Sequence, residues 1–140
     1  MTNSKPRESS RFRRTREDHA SETAEDYVEA IADAHENFGG CRGTDLVKLF
    51  GVSHVTVSKI LARLQSEGLI DTKPYGPVRL TERGQALAKR SRERHETVLQ
   101  FLLTLGVSRS TAEIDSEGIE HHVSGETLRA FRRFLKKNKP

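Results

Sequence analysis

Residues 43–70 read GTDLVKLFGVSHVTVSKILARLQSEGLI, and the glycine and hydroxyl punctuation between two short amphipathic runs decides the fold. A helix is predicted over about 44–50, stopped by Gly51. Ser53 then caps a second helix over about 54–67, on which Val57, Ile60, Leu61 and Leu64 form one apolar stripe, and Gly68 closes it. Two helices around a tight glycine turn, the second with a hydroxyl-rich and basic outer face, make a helix-turn-helix. Residues 69–84, LIDTKPYGPVRLTERG, continue with an extended piece, a Pro/Gly turn at KPYGP, a second extended piece, and Thr81 as the cap of a new helix. That hairpin is the wing of a winged helix-turn-helix.

Upstream, residues 1–21 are polar, Arg-rich and without apolar periodicity, and are expected to form a flexible basic arm. A helix is predicted from Thr23 as N-cap, with acids in its first turn and Tyr27, Val28, Ile31, Ala34 and Phe38 on one face, until Gly39 and Gly40 stop it. Downstream, a long helix from Glu82 to Leu105 carries Leu87, Val98, Phe101, Leu102 and Leu105. Its first half, ERGQALAKRSRERHE, is mostly polar and is expected to cross open surface before entering a core. Gly106 ends it, Ser108 caps a further helix through His122, and Ser124 caps the last, whose apolar face is Leu128, Phe131, Phe134 and Leu135. The fold class is mainly α: an N-terminal winged helix-turn-helix with a small two-stranded wing over residues 22–84, then an all-helical region over 85–140.

The chain has 140 residues, 34% of them hydrophobic, with one Cys and no Trp. It is long enough for one domain or two very small ones, and a large enzyme is not expected. No apolar run approaches the roughly 18 residues of a membrane span, and the N-terminus lacks the apolar core of a secretory signal, so the expectation is a soluble, cytoplasmic protein with no membrane partner. Cys41, the lone cysteine, cannot form an intramolecular disulfide, which suits a reducing compartment; in FGGCRG it reads as a small loop or core residue. The formal charge is +4. Arg129, Arg132, Arg133, Lys136, Lys137 and Lys139 form an acid-free run, while acids gather over 17–36 and 113–120. Basic ends favour a polyanion such as nucleic acid, although a solvated tail accounts equally for either end alone.

A second stretch raises a different chemistry. Residues 115–124, DSEGIEHHVS, hold Asp115, Glu117, Glu120 and His121, with His122 directly behind. On a helix, Glu117, Glu120 and His121 stand three and four residues apart and share a face, whereas His122 is rotated by roughly 100°. Asp26 and Glu29 form a similar pair three apart on the first helix, and the long helix offers His95 in RERHETV. Each of these alone is explained as an exposed acid or a surface histidine, and the sequence does not show that the three helices converge. If they do, four carboxylates in one cleft need neutralising, and two divalent ions would balance them. Oxygen donors with two imidazoles and no thiolate suit a rather hard octahedral ion such as Mn(II), and argue against a cysteine-built zinc site.

The segments EDYVEAI, VSHVTVSKILARL, GLI, LTERG, RERHE, FLLTLGV and EGIEHHVS resemble the diphtheria-toxin-repressor family of metal-dependent transcriptional regulators, and specifically its manganese-responsive branch. The likeness covers about residues 22–135. It implies a homodimer that takes Mn(II), two ions per subunit by the charge argument, and then binds palindromic double-stranded operator DNA to silence manganese uptake genes. Residues 85–140 become a metal-binding and dimerisation domain. The ligands the resemblance implies are Asp26 and Glu29 from EDYVE, His95 from RHE, and Glu117, Glu120 and His121 from EGIEHH. Iron-responsive relatives carry Met where Glu29 stands and Cys where Glu117 stands, so both softer ligands are missing here. Those relatives also carry a further C-terminal barrel, which is not expected in this chain.

On the reading helix, Ser53, His54 and Thr56 are short enough to approach base edges, Lys59 can reach phosphate, and Val57 is expected to pack inward. His54 is equally an exposed first-turn residue without a base contact. In the wing, Lys73, Tyr75 and Arg79 are candidates for backbone or minor-groove contact, and Tyr75 equally covers the wing base. A dimer would set two such helices about 34 Å apart, or a multiple of it. Three alternatives compete with the Mn(II) repressor: an Fe(II)-responsive regulator of the same family, a small carboxylate-bridged metalloenzyme using the same ligands, and a metal-independent winged-helix binder. The enzyme lacks the paired Glu-x-x-His motifs of four-helix di-iron sites.

Overall fold

The structure is a computed structural model that describes residues 5–74 and 76–138, with side chains from His19 onward. Tyr75, Lys139 and the side chains of the first eighteen residues lie outside the described residues. The elements are α1 (Lys5–Phe38), α2 (Gly43–Phe50), α3 (His54–Ser66), β1 (Ile70–Thr72), β2 (Val78–Leu80), α4 (Glu82–Thr104), α5 (Arg109–Glu120) and α6 (Gly125–Lys137). They divide into two compact units, Ala24–Arg92 and Met1–Thr23 with Glu93–Pro140.

The first unit holds the helix-turn-helix and its wing. The Arg42 N–H donates to Asp45 Oδ2 at 2.8 Å and so opens α2. Gly51, at φ 63°, takes the left-handed conformation that ends it, one that a β-carbon disfavours. Ser53 Oγ accepts the Thr56 N–H at 3.1 Å and starts α3. β1 and β2 pair antiparallel in the register Ile70↔Leu80, Asp71↔Arg79, Thr72↔Val78. Ile31, Leu46, Leu64, Val28 and Val78 are fully buried, each worth on the order of 1.5–3 kcal/mol over exposure. The Tyr27 and Phe50 rings stack with centroids 4.2 Å apart. The wing is tied to this core at β2: the Val78 N–H donates to the Cys41 carbonyl at 2.8 Å, and His35 Nε2 lies 3.0 Å from the Val78 carbonyl.

In the second unit Val98 and Ala112 are fully buried and Leu99 and Leu128 nearly so. The Phe101 ring stacks on Phe131 at 3.9 Å and meets Phe134 edge-on at 5.3 Å, which joins α4 to α6. Ser108 and Ser124 cap α5 and α6 by accepting the Thr111 and Thr127 N–H groups.

Four expectations change. The first helix begins at Lys5, not at Thr23. Thr23 Oγ1 donates back to the His19 carbonyl at 2.9 Å, the behaviour of a mid-helix threonine. Pro6 sits in the first turn, where its missing N–H costs nothing, and no Gly or Pro follows before Gly39. Lack of an apolar stripe was thus a poor sign of lack of helix. Phe38 is 86% exposed, because the buried face has run out in the last turn of α1. Leu105, just past α4, is likewise exposed. The polar first half of α4 does not cross open surface: Gly84, Ala88 and Ser91 are buried at i, i+4 and i+7. These residues are too small to register as an apolar stripe, and their smallness lets the helix approach its neighbours closely. A β-carbon on Gly84 would lie 2.0 Å from the Leu69 carbonyl oxygen.

Candidate metal centre and nucleic-acid interface

Glu120 ends α5 and His121 is its C-cap in right-handed helical conformation, so the two project from the last turn. Their side chains are each only 4% exposed. Glu120 Oε2 lies 3.3 Å from His95 Nδ1 on α4, and Glu120 Oε1 lies 3.5 Å from His121 Nε2. A carboxylate this deeply buried calls for compensating polar groups or a cation, and two imidazoles lie beside it. Glu120 thus has one ring nitrogen beside each of its oxygens and no sulfur nearby, and nitrogen and oxygen donors of this kind suit a borderline-to-hard divalent ion. Glu117 and Asp115 stand exposed on the same helix, with Glu117 one turn before Glu120. Among the described residues no hydrogen bond or ion pair joins Glu117 to the His95–Glu120–His121 group.

In the unit of the reading head, Asp26 and Glu29 stand three residues apart on α1. Ser91, fully buried on α4, donates its hydroxyl to Glu29 Oε1. One residue further on, the Arg92 guanidinium donates to Asp33 and to Glu36 Oε2 at 3.3 Å. Those two carboxylates, together with burial working in the opposite direction, leave the Arg92 pKa raised.

Sequence reasoning missed Ser91, because a serine in a polar helix gives no pattern. It also missed Glu22, whose carboxylate is 3.7 Å from His122 Nε2 and within 4.8 Å of a donor nitrogen of His121. A signal was available for Glu22: it lies four residues before Asp26. Placing the helix start at Thr23 removed it from the helix.

The candidate reading surface is the outer side of α3. Ser53, His54, Thr56 and Lys59 are all exposed, and Val57 is buried as expected. The Ser53 hydroxyl accepts the Thr56 N–H and donates to Thr56 Oγ1 at 3.0 Å, so Ser53 serves the cap first. Val55, 63% exposed between these polar neighbours, was not anticipated. An apolar side chain held out from such a helix is the type that meets a thymine methyl. Lys73 and Arg79 of the wing are exposed. An open groove between α3 and the wing turn is lined by Arg42, His54, Ser58, Ala62 and Lys73 among others. Two of its lining residues, Arg42 and Lys73, are exposed cations that suit a phosphate backbone.

Residues 19–78 match the domain described as the iron-dependent repressor N-terminal DNA-binding domain, and residues 81–139 match the iron-dependent repressor metal-binding and dimerisation domain. The chain belongs to the iron-dependent repressor family. It is 50% identical over 127 residues to the transcriptional regulator MntR of Escherichia coli O6:H1, covering 91% of this chain and 82% of that protein. It is 34% identical over 104 residues to the HTH-type transcriptional regulator MntR of Bacillus subtilis, covering 74% of this chain and 73% of that one. A solved manganese-dependent transcriptional repressor in complex with manganese superposes with a TM-score of 0.71 at 29% identity, over 80% of this chain and 52% of that chain. Membership gives the two halves distinct tasks: the matched DNA-binding domain contains α2 and α3, and the matched metal-binding and dimerisation domain contains α4, α5 and α6. These relatives are transcriptional regulators and repressors, not enzymes, which sets aside the carboxylate-bridged metalloenzyme. Among the described residues no helix is long and apolar enough to cross a membrane.

Proposed function

We propose that the chain is a cytoplasmic Mn(II)-dependent repressor that binds palindromic operator DNA as a homodimer and controls manganese uptake genes. Its ligands are Asp26, Glu29, His95, Glu117, Glu120 and His121, holding two ions per subunit. The observation that carries this reading is the buried His95–Glu120–His121 group, which offers nitrogen and oxygen donors and no thiolate. The E. coli and B. subtilis relatives named MntR and the manganese-bound repressor structure support the same metal.

When bound, the ion supplies positive charge that makes neighbouring carboxylates compatible. The chain's own residues do the rest. Ser91 orients Glu29, Glu120 is held between two imidazoles, and Arg92 neutralises Asp33 and Glu36. Asp26 and Glu29 lie on α1, which leads directly into α2 and α3, so fixing their carboxylates couples metal binding to the reading head. On α3 and the wing, His54, Thr56, Lys59, Lys73, Tyr75 and Arg79 contact DNA, with Ser53 at the cap.

The Fe(II) alternative is disfavoured by the chain's Glu29 and Glu117, which stand where iron-responsive relatives carry softer ligands. Titrating Mn(II), Fe(II), Co(II) and Zn(II) into chelated protein, while following binding to a palindromic promoter fragment, tests the assignment. Mn(II) should give the highest operator affinity at saturation, although the later ions bind nitrogen and oxygen sites more tightly. His95→Ala and Glu117→Ala proteins with an unchanged metal response would reject the site.

A further inference from the structure

We infer that Glu22 is an additional donor to the metal centre, one outside the ligand set implied by the family motifs; this rests on the centre proposed above. On the continuous α1 helix, Glu22, Asp26 and Glu29 stand at i, i+4 and i+7, and at about 100° per residue they fall within roughly 60° of one another. Asp33 and Glu36 extend the same stripe. The two ends of the stripe are treated differently. Arg92 takes Asp33 and Glu36, and a guanidinium there excludes a cation. At the other end the ion pair of Glu22 is with the imidazole of His122, at 3.7 Å, and its carboxylate is within 4.8 Å of a donor nitrogen of His121.

His121 is nine-tenths buried and already faces Glu120, so Glu22 adds a carboxylate to a nitrogen and oxygen group that exists without it. The Glu22 side chain is 33% exposed, leaving it room to turn from His122 toward an ion. Carboxylate and imidazole are the donors a divalent first-row cation such as Mn(II) takes. Glu22 therefore raises the affinity of the centre, with His122 and the cation competing for its carboxylate.

Equilibrium dialysis of Mn(II) against chelated full-length protein, counting ions per subunit, tests this with Glu22→Gln, His122→Ala and Glu120→Gln. Circular dichroism confirms folding, and the Mn(II) EPR spectrum gives a second readout of the donor set. Glu22→Gln should weaken at least one Mn(II) equivalent by about ten-fold or more and alter the spectrum, while His122→Ala should leave affinity unchanged or raise it. Wild-type affinity, stoichiometry and spectrum in Glu22→Gln would overturn the inference, as would equal losses in Glu22→Gln and His122→Ala, which would make Glu22 a partner of His122 alone. A loss in Glu120→Gln with none in Glu22→Gln rejects only the role of Glu22. A loss in Glu22→Gln with none in Glu120→Gln supports Glu22 and rejects the centre as proposed.

Discussion

Ser91, fully buried on α4, donates its hydroxyl to Oε1 of Glu29, 62 residues away on α1. A hydrogen bond to a carboxylate contributes on the order of 1.5–3 kcal/mol, and it fixes which way Glu29 presents its other oxygen. Ser91→Ala should destabilise the protein by that order in chemical denaturation. It should also weaken Mn(II) binding by about ten-fold or more. Ser91→Thr, which keeps a hydroxyl, should recover metal binding better than it recovers stability. Metal affinity unchanged in Ser91→Ala would show that the hydroxyl only packs.

Gly84 is where α4 passes over the Leu69 carbonyl, which also accepts the Thr81 N–H at 3.0 Å. Because an added β-carbon would meet that oxygen at 2.0 Å, Gly84→Ala has to push the wing base and α4 apart. The expected result is a melting temperature lowered by several degrees, despite the better helix propensity of alanine. A rise in melting temperature would contradict this packing.

The reading helix separates two kinds of contact. Lys59→Ala should weaken binding about equally for specific and random DNA and reduce the salt slope by about one. Val55→Ala should leave the slope unchanged and cost affinity only for sites with a thymine at one position, by about 1 kcal/mol. Binding isotherms over a salt series distinguish the two.

Ile114 is 74% exposed on α5, and Ile119 is partly exposed on the same helix. Apolar side chains held in water within a matched dimerisation domain are the expected place for a second copy. Ile114→Glu should shift sedimentation toward monomer at micromolar concentration and lower operator affinity with it. A dimer of undiminished stability would place the interface elsewhere.

Burial, and secondarily the charge of Asp45, pushes the Cys41 thiol from 9.0 up to about 11. A group whose folded pKa is raised contributes stability that is fully present below 9.0 and is lost as pH rises through about 11. Burial raises Tyr27 in the same direction. Replacing Cys41 with Ala should therefore reduce, without abolishing, the loss of stability between those two pH values. An unchanged alkaline limb in denaturant melts would contradict it.

The elements that were legible in the sequence are those with strong local punctuation. Gly51, Ser53, Gly68, Thr81, Ser108 and Ser124 mark helix ends by backbone chemistry, and the structure uses each where the residue type demands. The start of α1 was not legible, since a polar helix without a stripe carries no signal in hydropathy. Burial of Gly84, Ala88 and Ser91 was hidden for a related reason: close approach depends on what is missing from a side chain. Among the candidate ligands, Glu120 and His121 were legible as neighbours from helical spacing; that His95 stands beside Glu120 was not, because an isolated imidazole on another helix carries no spacing signal. The Ser91–Glu29 bond was not, because no local pattern reports a partner 62 residues away.

The most direct measurement is the affinity of the full-length protein for a palindromic promoter fragment, taken in parallel with saturating Mn(II) and with chelator, for the wild type and for Glu120→Gln. The wild type should bind tightly only with Mn(II), and Glu120→Gln should bind weakly in both conditions. Equal wild-type affinity with metal and with chelator would contradict this.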